Sequence, residues 1–138
     1  CCFSFSDLPL LAAIAAASLR TISFFQNQHL YNTAWACAIC VFRDMPLLTA
    51  IAAQAQPRIS DFSAQGLANS SWSFAVLQLV HVPLLESIAA SAIPSMSDFT
   101  TQHLSNTSWA FAKLEFSAEP LLAAISAESI PKLAEFRG

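Results

Sequence analysis

The chain repeats itself at a fixed interval. Pro-Leu-Leu occurs at Pro9, Pro46, Pro83 and Pro120, and each occurrence lies 37 residues after the previous one. A series of Ile, one of Phe, one of Asn and one of Trp follow the same interval without insertion or deletion. A fixed period between about 20 and 50 residues is typical of proteins in which each unit buries its apolar surface against the next. The period therefore predicts stacked copies of one supersecondary unit.

The first half of each unit has the pattern of an amphipathic helix. Pro46 suits the first turn of a helix, where the N–H that it lacks would have no intrahelical partner. Apolar side chains then follow at helical spacing, with polar side chains between them. Pro57, Pro94 and Pro131 come late in this half. We expect them to kink or end the first helix, because proline removes a helical hydrogen bond.

The second half of each unit predicts a helix that is apolar on two sides. Ser63 and Thr100 are favourable N-caps, and the helix of the middle unit is predicted from about Ala64 to Leu79. One predicted apolar face consists of Leu67, Ser71, Phe74 and Leu77, and the other of Ala68, Trp72, Ala75 and Leu79. A helix with two apolar sides is expected to lie between neighbours.

Together these patterns predict an all-α fold, an α-solenoid of 37-residue helix–turn–helix repeats with about seven helices. Residues 9–45, 46–82 and 83–119 form the three predicted repeats. Residues 1–8 match the tail of a preceding repeat, and residues 120–138 match the first helix of a fourth. We therefore expect the array to continue into further repeats at both ends.

The composition is rich in apolar residues and poor in charge. Hydrophobic residues make up 55% of the chain and charged residues only 11%, against about a quarter in ordinary soluble domains. The longest apolar run, from Leu8 to Leu19, is shorter than the roughly 20 residues that a spanning helix needs. No membrane-spanning segment is expected, and the shortage of charge favours a surface that neighbouring proteins cover.

Two second-helix segments carry a resemblance to a known family. Gln65-Gly-Leu-Ala-Asn-Ser-Ser-Trp-Ser-Phe-Ala and Gln102-His-Leu-Ser-Asn-Thr-Ser-Trp-Ala-Phe-Ala resemble the octotricopeptide repeats, whose second helices carry Leu-x-Asn-x-x-Trp-x-x-Ala. The resemblance implies an α-solenoid that acts in chloroplasts or mitochondria in RNA processing, stability or translation. The family's repeat is one residue longer, and its basic character is missing here, since the net charge is −3.

Amide side chains recur on one edge of each second helix, in pairs four residues apart. The candidate residues for binding on a concave face are Gln28, Asn32, Arg43, Gln65, Asn69, Gln102, Asn106 and Lys113. One interpretation is a ladder of amides that holds an extended ligand, as helical-repeat RNA readers do with two or three side chains per repeat. The other is structural, with each Asn tying adjacent repeats together or bonding a neighbouring loop carbonyl, and the invariance of these residues favours it. Better candidates for recognising an RNA sequence are the positions that vary between repeats. They are Thr21, Arg58, Ser95 and Lys132, and Ile39, Val76 and Lys113.

Other residues invite functional interpretations that the repeat itself weakens. Trp35, Trp72 and Trp109 are of a type that stacks on bases, but their register predicts core side chains with bonded N–H groups. Cys37 and Cys40 form a C-x-x-C with Cys1 and Cys2 upstream, yet Phe74 and Leu77 occupy the equivalent positions, which favours packing over a metal site.

No catalytic residue, metal site or cofactor is expected. The His residues, His29, His81 and His103, have no acid or nucleophile that recurs with them, and two glycines cannot form a phosphate-binding loop.

Two functions follow from these patterns. The first is a non-catalytic scaffold or accessory subunit, packed on protein subunits of a large organellar assembly such as a photosystem or a ribosome. The alternative is an organellar RNA-binding protein. Six Lys and Arg residues scattered along the chain form no basic stripe, and this favours the scaffold.

Overall fold

The computed structural model describes residues 7–136, so Cys1, Cys2 and most of the predicted tail of a preceding repeat lie outside the described residues. The α-helices are α1 (Leu8–Thr21), α2 (Asn27–Ile39), α3 (Met45–Ala55), α4 (Ala64–Val76), α5 (Val82–Ala92), α6 (Thr101–Lys113) and α7 (Glu119–Phe136). Short 3₁₀ helices span Ile22–Phe24, Gln56–Asp61 and Met96–Asp98. Residues 7–136 contain no β-strand, which confirms the predicted all-α class.

The helices form two rows. In one row α1, α3, α5 and α7, here called the odd helices, each contact the next. In the other row α4 packs between α2 and α6, and these three are called the even helices. The even helices begin at residues 27, 64 and 101 and have equal lengths of 13 residues, so that equivalent positions lie 37 residues apart.

Side chains cap the helices where the sequence predicts that they begin. The Ser63 hydroxyl accepts a hydrogen bond from the Gly66 N–H at 3.1 Å, and the Thr100 hydroxyl accepts one from the His103 N–H at 3.2 Å. Asp44 caps α3 in the same manner, through the Leu47 N–H at 3.0 Å. These bonds satisfy backbone donors that have no partner within the helix.

The even helices end earlier than the sequence predicts. Helix α4 ends at Val76 rather than near Leu79, because Gln78 adopts a left-handed backbone with φ 57°. The Leu79 N–H then bonds the Phe74 carbonyl at 2.8 Å, and the Gln78 N–H bonds the Ala75 carbonyl at 3.0 Å. This is a Schellman motif. The prediction was wrong because such a turn is usually marked by glycine, and none occurs here.

The same left-handed turn follows the other even helices, with Val41 at φ 51° and Glu115 at φ 54°. Among the odd helices, α3 ends at Ala55 and α5 at Ala92, each two residues before a proline, as predicted. Helix α7 instead continues through Pro131.

The core lies between the two rows and between neighbouring even helices. Leu67 and Phe74 are buried on one side of α4, and Ala68 and Ala75 on the other, which confirms the predicted two-sided burial. Within residues 7–136, no helix is both long enough and apolar enough to cross a membrane.

Candidate binding face

Each even helix presents the same four positions on its exposed side. They are the second, sixth, ninth and thirteenth residues of the helix, a spacing that places them on one stripe. We call the three stripes together the Gln–Asn–Trp face. It consists of Gln28, Asn32, Trp35 and Ile39; Gln65, Asn69, Trp72 and Val76; and Gln102, Asn106, Trp109 and Lys113.

All three tryptophans lie on this face, but only Trp72 also packs against the core. Trp35 is 44% exposed and Trp109 is 45% exposed, while Trp72, on the middle helix, is half-buried. The prediction that the tryptophans are core residues is therefore wrong for Trp35 and Trp109, whereas Trp72 packs against the core. The two apolar sides of each even helix are already supplied by other residues, such as Leu67 and Ala68 on α4, and the ninth position falls between those sides.

The polar groups of the face have no partner among the residues that the structure describes. Within residues 7–136, none of the six Gln and Asn side chains and none of the three indole N–H groups makes a hydrogen bond. The interpretation in which each Asn ties adjacent repeats does not account for this arrangement. The face instead offers unused donors and acceptors at regular intervals, beside exposed aromatic rings.

The face carries almost no charge. The even helices contain no Asp or Glu, and Lys113, the last residue of α6, is their one charged side chain. Arg43, which the sequence places on the same edge, is exposed but lies beyond the end of α2, after the left-handed Val41. Seven of the eight predicted candidate residues therefore share one face, and Arg43 lies outside it.

Two cations predicted to contact a ligand instead connect successive helix pairs. Arg58 Nη1 donates a hydrogen bond to the Phe25 carbonyl at 2.8 Å, and its Nε donates to the Gln54 carbonyl at 3.0 Å. Lys132 Nζ bonds the carbonyl of Phe99, at the equivalent position. These side chains satisfy backbone acceptors at the ends of 3₁₀ helices, so their role is structural.

The smaller residues at the same position as Arg58 and Lys132 hydrogen-bond to carbonyls of the odd helix in the same pair. The Thr21 hydroxyl donates to the Ala17 carbonyl at 3.2 Å, and the Ser95 hydroxyl donates to the Ser91 carbonyl at 3.0 Å. At this position, Arg58 and Lys132 bond the preceding helix pair, and within the described part of the chain Thr21 and Ser95 do not. The hypothesis that this position recognises a ligand is therefore replaced by a role in connecting helix pairs.

Cys37 and Cys40 line an apolar cavity of about 110 Å³ between α1 and α2. Burial, with smaller contributions from Cys40 and Asp44, raises the pKa of Cys37 to about 11. Its thiol is therefore protonated and a weak nucleophile at neutral pH. Among residues 7–136, no three His, Cys, Asp or Glu side chains are grouped so that they could hold a metal ion.

The histidines cap helices. Nδ1 of His29 accepts a hydrogen bond from the Gln26 N–H, and Nδ1 of His103 accepts one from the Thr100 N–H, both at 3.2 Å. His81 Nδ1 accepts from the Leu84 N–H, also at 3.2 Å. Burial and, to a lesser extent, the Lys132 charge lower the pKa of His103, which favours the neutral imidazole that this acceptor role requires.

Sequence reasoning found the amides of the face but missed its tryptophans. The signal was present, because Trp72 lies three residues after Asn69 and seven after Gln65, which is the spacing of one helical stripe. The ties made by Arg58 and Lys132 left no comparable signal, since each joins residues 33 positions apart.

The chain matches no model of a known protein family, and a comparison with curated proteins also finds no match.

Proposed function

We propose that the chain is a non-catalytic interaction module, an α-solenoid of 37-residue helix pairs that binds protein through the Gln–Asn–Trp face. The observation that carries the proposal is the repetition of a Trp and two unbonded amides on three neighbouring helices, with the Trp exposed on α2 and α6 and half-buried on α4. Tryptophan dominates the binding energy of many protein interfaces. A surface that repeats it at a fixed interval suits a ligand that runs across the helices.

The charge of the face supports a protein ligand. Binding of nucleic acid depends on cations that neutralise phosphates, and the even helices carry only Lys113. Arg58 and Lys132 are occupied by backbone carbonyls. A neutral face that combines amides with indoles is typical of protein interfaces, whose cores are poor in charge and rich in aromatic residues.

The outermost helices that the structure describes, α1 and α7, favour a position of the chain within a larger assembly. On α1, Leu10 is 61% exposed, whereas its equivalent Leu47 on α3 is 3% exposed. On α7, Leu122 is exposed although its equivalents on α3 and α5 are buried. These apolar surfaces suit further repeats or neighbouring subunits on both sides. With the octotricopeptide resemblance, this favours an accessory or scaffold subunit of an organellar assembly, a photosystem or a ribosome.

RNA binding is the second candidate, and the exposed tryptophans favour it. Bases of single-stranded RNA stack on aromatic side chains with little dependence on sequence, and the octotricopeptide resemblance implies organellar RNA processing, stability or translation. With so few cations, we expect RNA affinity no tighter than about 10⁻⁴ M at physiological salt, the weak end of non-specific binding.

Sedimentation of the tagged chain with organellar ribosomes or photosystems of the source cells tests the proposal. We expect association that is lost in the double variant Trp35→Ala/Trp109→Ala. Phe24→Ala is the matched control, because Phe24 is an exposed aromatic residue outside the face. An RNA titration at two salt concentrations completes the test. Micromolar RNA binding that weakens steeply with salt would overturn the protein-binding proposal in favour of RNA.

A further inference from the structure

The three tryptophans have the same position within their helices, which sets the spacing of any ligand that contacts all of them. Each is the ninth residue of a 13-residue even helix, and α4 packs directly against α2 and α6. Packed helices have axes about 8–10 Å apart. A linear ligand must therefore present one contacting group to each helix at about this interval.

This interval matches one extended peptide conformation. A polyproline II helix has three residues per turn and rises about 3.1 Å per residue, so residues on one side recur about every 9 Å. In a β-strand, residues on one side recur about every 7 Å, because the rise is about 3.3 Å and the period is two. Of these two extended forms, only the polyproline II form places each contacting residue opposite a successive tryptophan.

The hydrogen-bonding groups of the face match the same ligand. A polyproline II segment makes no hydrogen bonds within itself, so its carbonyls are free to accept, and each proline removes one N–H donor. The face supplies donors that have no partner within residues 7–136, the indole N–H groups of Trp35, Trp72 and Trp109 and the NH₂ groups of the neighbouring amides. Proline rings fit against flat indole rings, as in the aromatic-lined grooves that bind other proline-rich segments.

We infer that the Gln–Asn–Trp face binds a polyproline II segment of a partner protein, with proline at every third residue. The segment crosses α2, α4 and α6 and needs about seven residues to reach from the first tryptophan to the third. Lys113, at the end of the third stripe, favours an acidic residue of the ligand near that end. The inference rests on the proposed protein-binding function and names the class of its ligand.

Fluorescence anisotropy with the complete chain tests the spacing. One labelled peptide of about twelve residues consists of Pro-Ser-Ser triplets, and a second of equal length consists of Pro-Ser pairs. The second contains more proline but presents it at only every other position on one side of the helix. We expect the triplet peptide to bind several-fold more tightly. Equal affinity, or tighter binding of the pair peptide, would overturn the inference.

Variants of the face test where the peptide binds. We expect Trp35→Ala and Trp109→Ala each to weaken binding of the triplet peptide about thirtyfold, the effect of losing one interface hot spot. Phe24→Ala is expected to change the affinity less than about twofold, because that residue lies outside the face. Circular dichroism of each variant establishes that its helices are intact. Equal effects of all three substitutions would overturn the assignment of the site.

A parallel measurement with RNA distinguishes a failure of the polyproline inference from a failure of the proposed protein-binding function. If an oligouridine of about twelve nucleotides binds more tightly than the peptide, with loss in the Trp variants and a steep salt dependence, both proposals fail. If neither probe binds while the chain still sediments with organellar complexes through the face, only the polyproline inference fails. Binding of the triplet peptide alone, lost in the Trp variants, supports both.

Discussion

The first helix pair, α1–α2, and the second, α3–α4, have similar backbones but different packing. Both even helices have 13 residues and end in the same left-handed turn. Yet Ile14 on α1 is 53% exposed, while its equivalent Ile51 on α3 is 2% exposed. Cys37 is buried like its equivalent Phe74, but Cys40 is only half-buried, whereas its equivalent Leu77 is buried.

This difference shows that helix boundaries and side-chain burial depend on different parts of the molecule. Where a helix begins and ends depends on caps and turns within a few residues of its ends, and these are alike in both pairs. How much of a side chain is buried depends on what lies on either side of the pair. The second pair has described neighbours on both sides, and the first has one on only one side. Equivalent residues should therefore differ in their contribution to stability.

Truncation of the equivalent isoleucines should give the largest contrast. We expect Ile51→Ala to lower the free energy of unfolding by about 2–5 kcal/mol, because it leaves a cavity in a packed core. Ile14→Ala should lower it by less than about 1 kcal/mol, since half of that side chain is already in water. Urea denaturation of both variants measures the difference. A loss of equal size for Ile14→Ala would show that another part of the chain or a partner covers α1.

The pairing of Tyr31 with Gly66 gives a second contrast. His29 and His103 occupy the equivalent position in the other even helices, but a Cβ at Gly66 would lie 2.8 Å from the Tyr31 ring. On α4 the residue equivalent to Tyr31 is Ala68. We expect Gly66→His to destabilise the fold by about 1–2 kcal/mol, because the ring must move.

The double variant Tyr31→Ala/Gly66→His recreates the combination of Ala68 with His103 and serves as the control. Thermal unfolding of the two single variants and the double variant gives the coupling energy, which we expect to be favourable by at least about 1 kcal/mol. Additive effects would mean that the Tyr31 ring does not restrict position 66.

Filling the cavity beside the cysteines should have an effect of the opposite sign. We expect Cys37→Phe/Cys40→Leu to fold normally and to gain about 1–2 kcal/mol. The estimate is below that for an enclosed cavity of this size, because this one is partly open. The measurements are the melting temperature and the metal content of the parent and the variant. Stoichiometric zinc in the parent, lost in the variant together with the fold, would show that the cysteines form a metal site.

Much of the local structure could be predicted from the sequence. The N-caps Ser63 and Thr100 and the ends of α3 and α5 before prolines depend on residues close in the chain, and the structure confirms them. The left-handed turn at Gln78 was missed because glycine, its usual signal, is absent. The two buried sides of α4 were predicted from their helical spacing alone.

The sequence by itself determined the helical class, the interval of 37 residues and the position of the amides on each even helix. Only the tertiary structure decided that Trp35 and Trp109 face solvent and that Arg58 bonds the carbonyl of Phe25. Helix formation and capping involve residues within about four positions of one another, so a local pattern records them. Burial and long-range hydrogen bonds depend on which other elements pack against a surface, and no local sequence pattern contains that information.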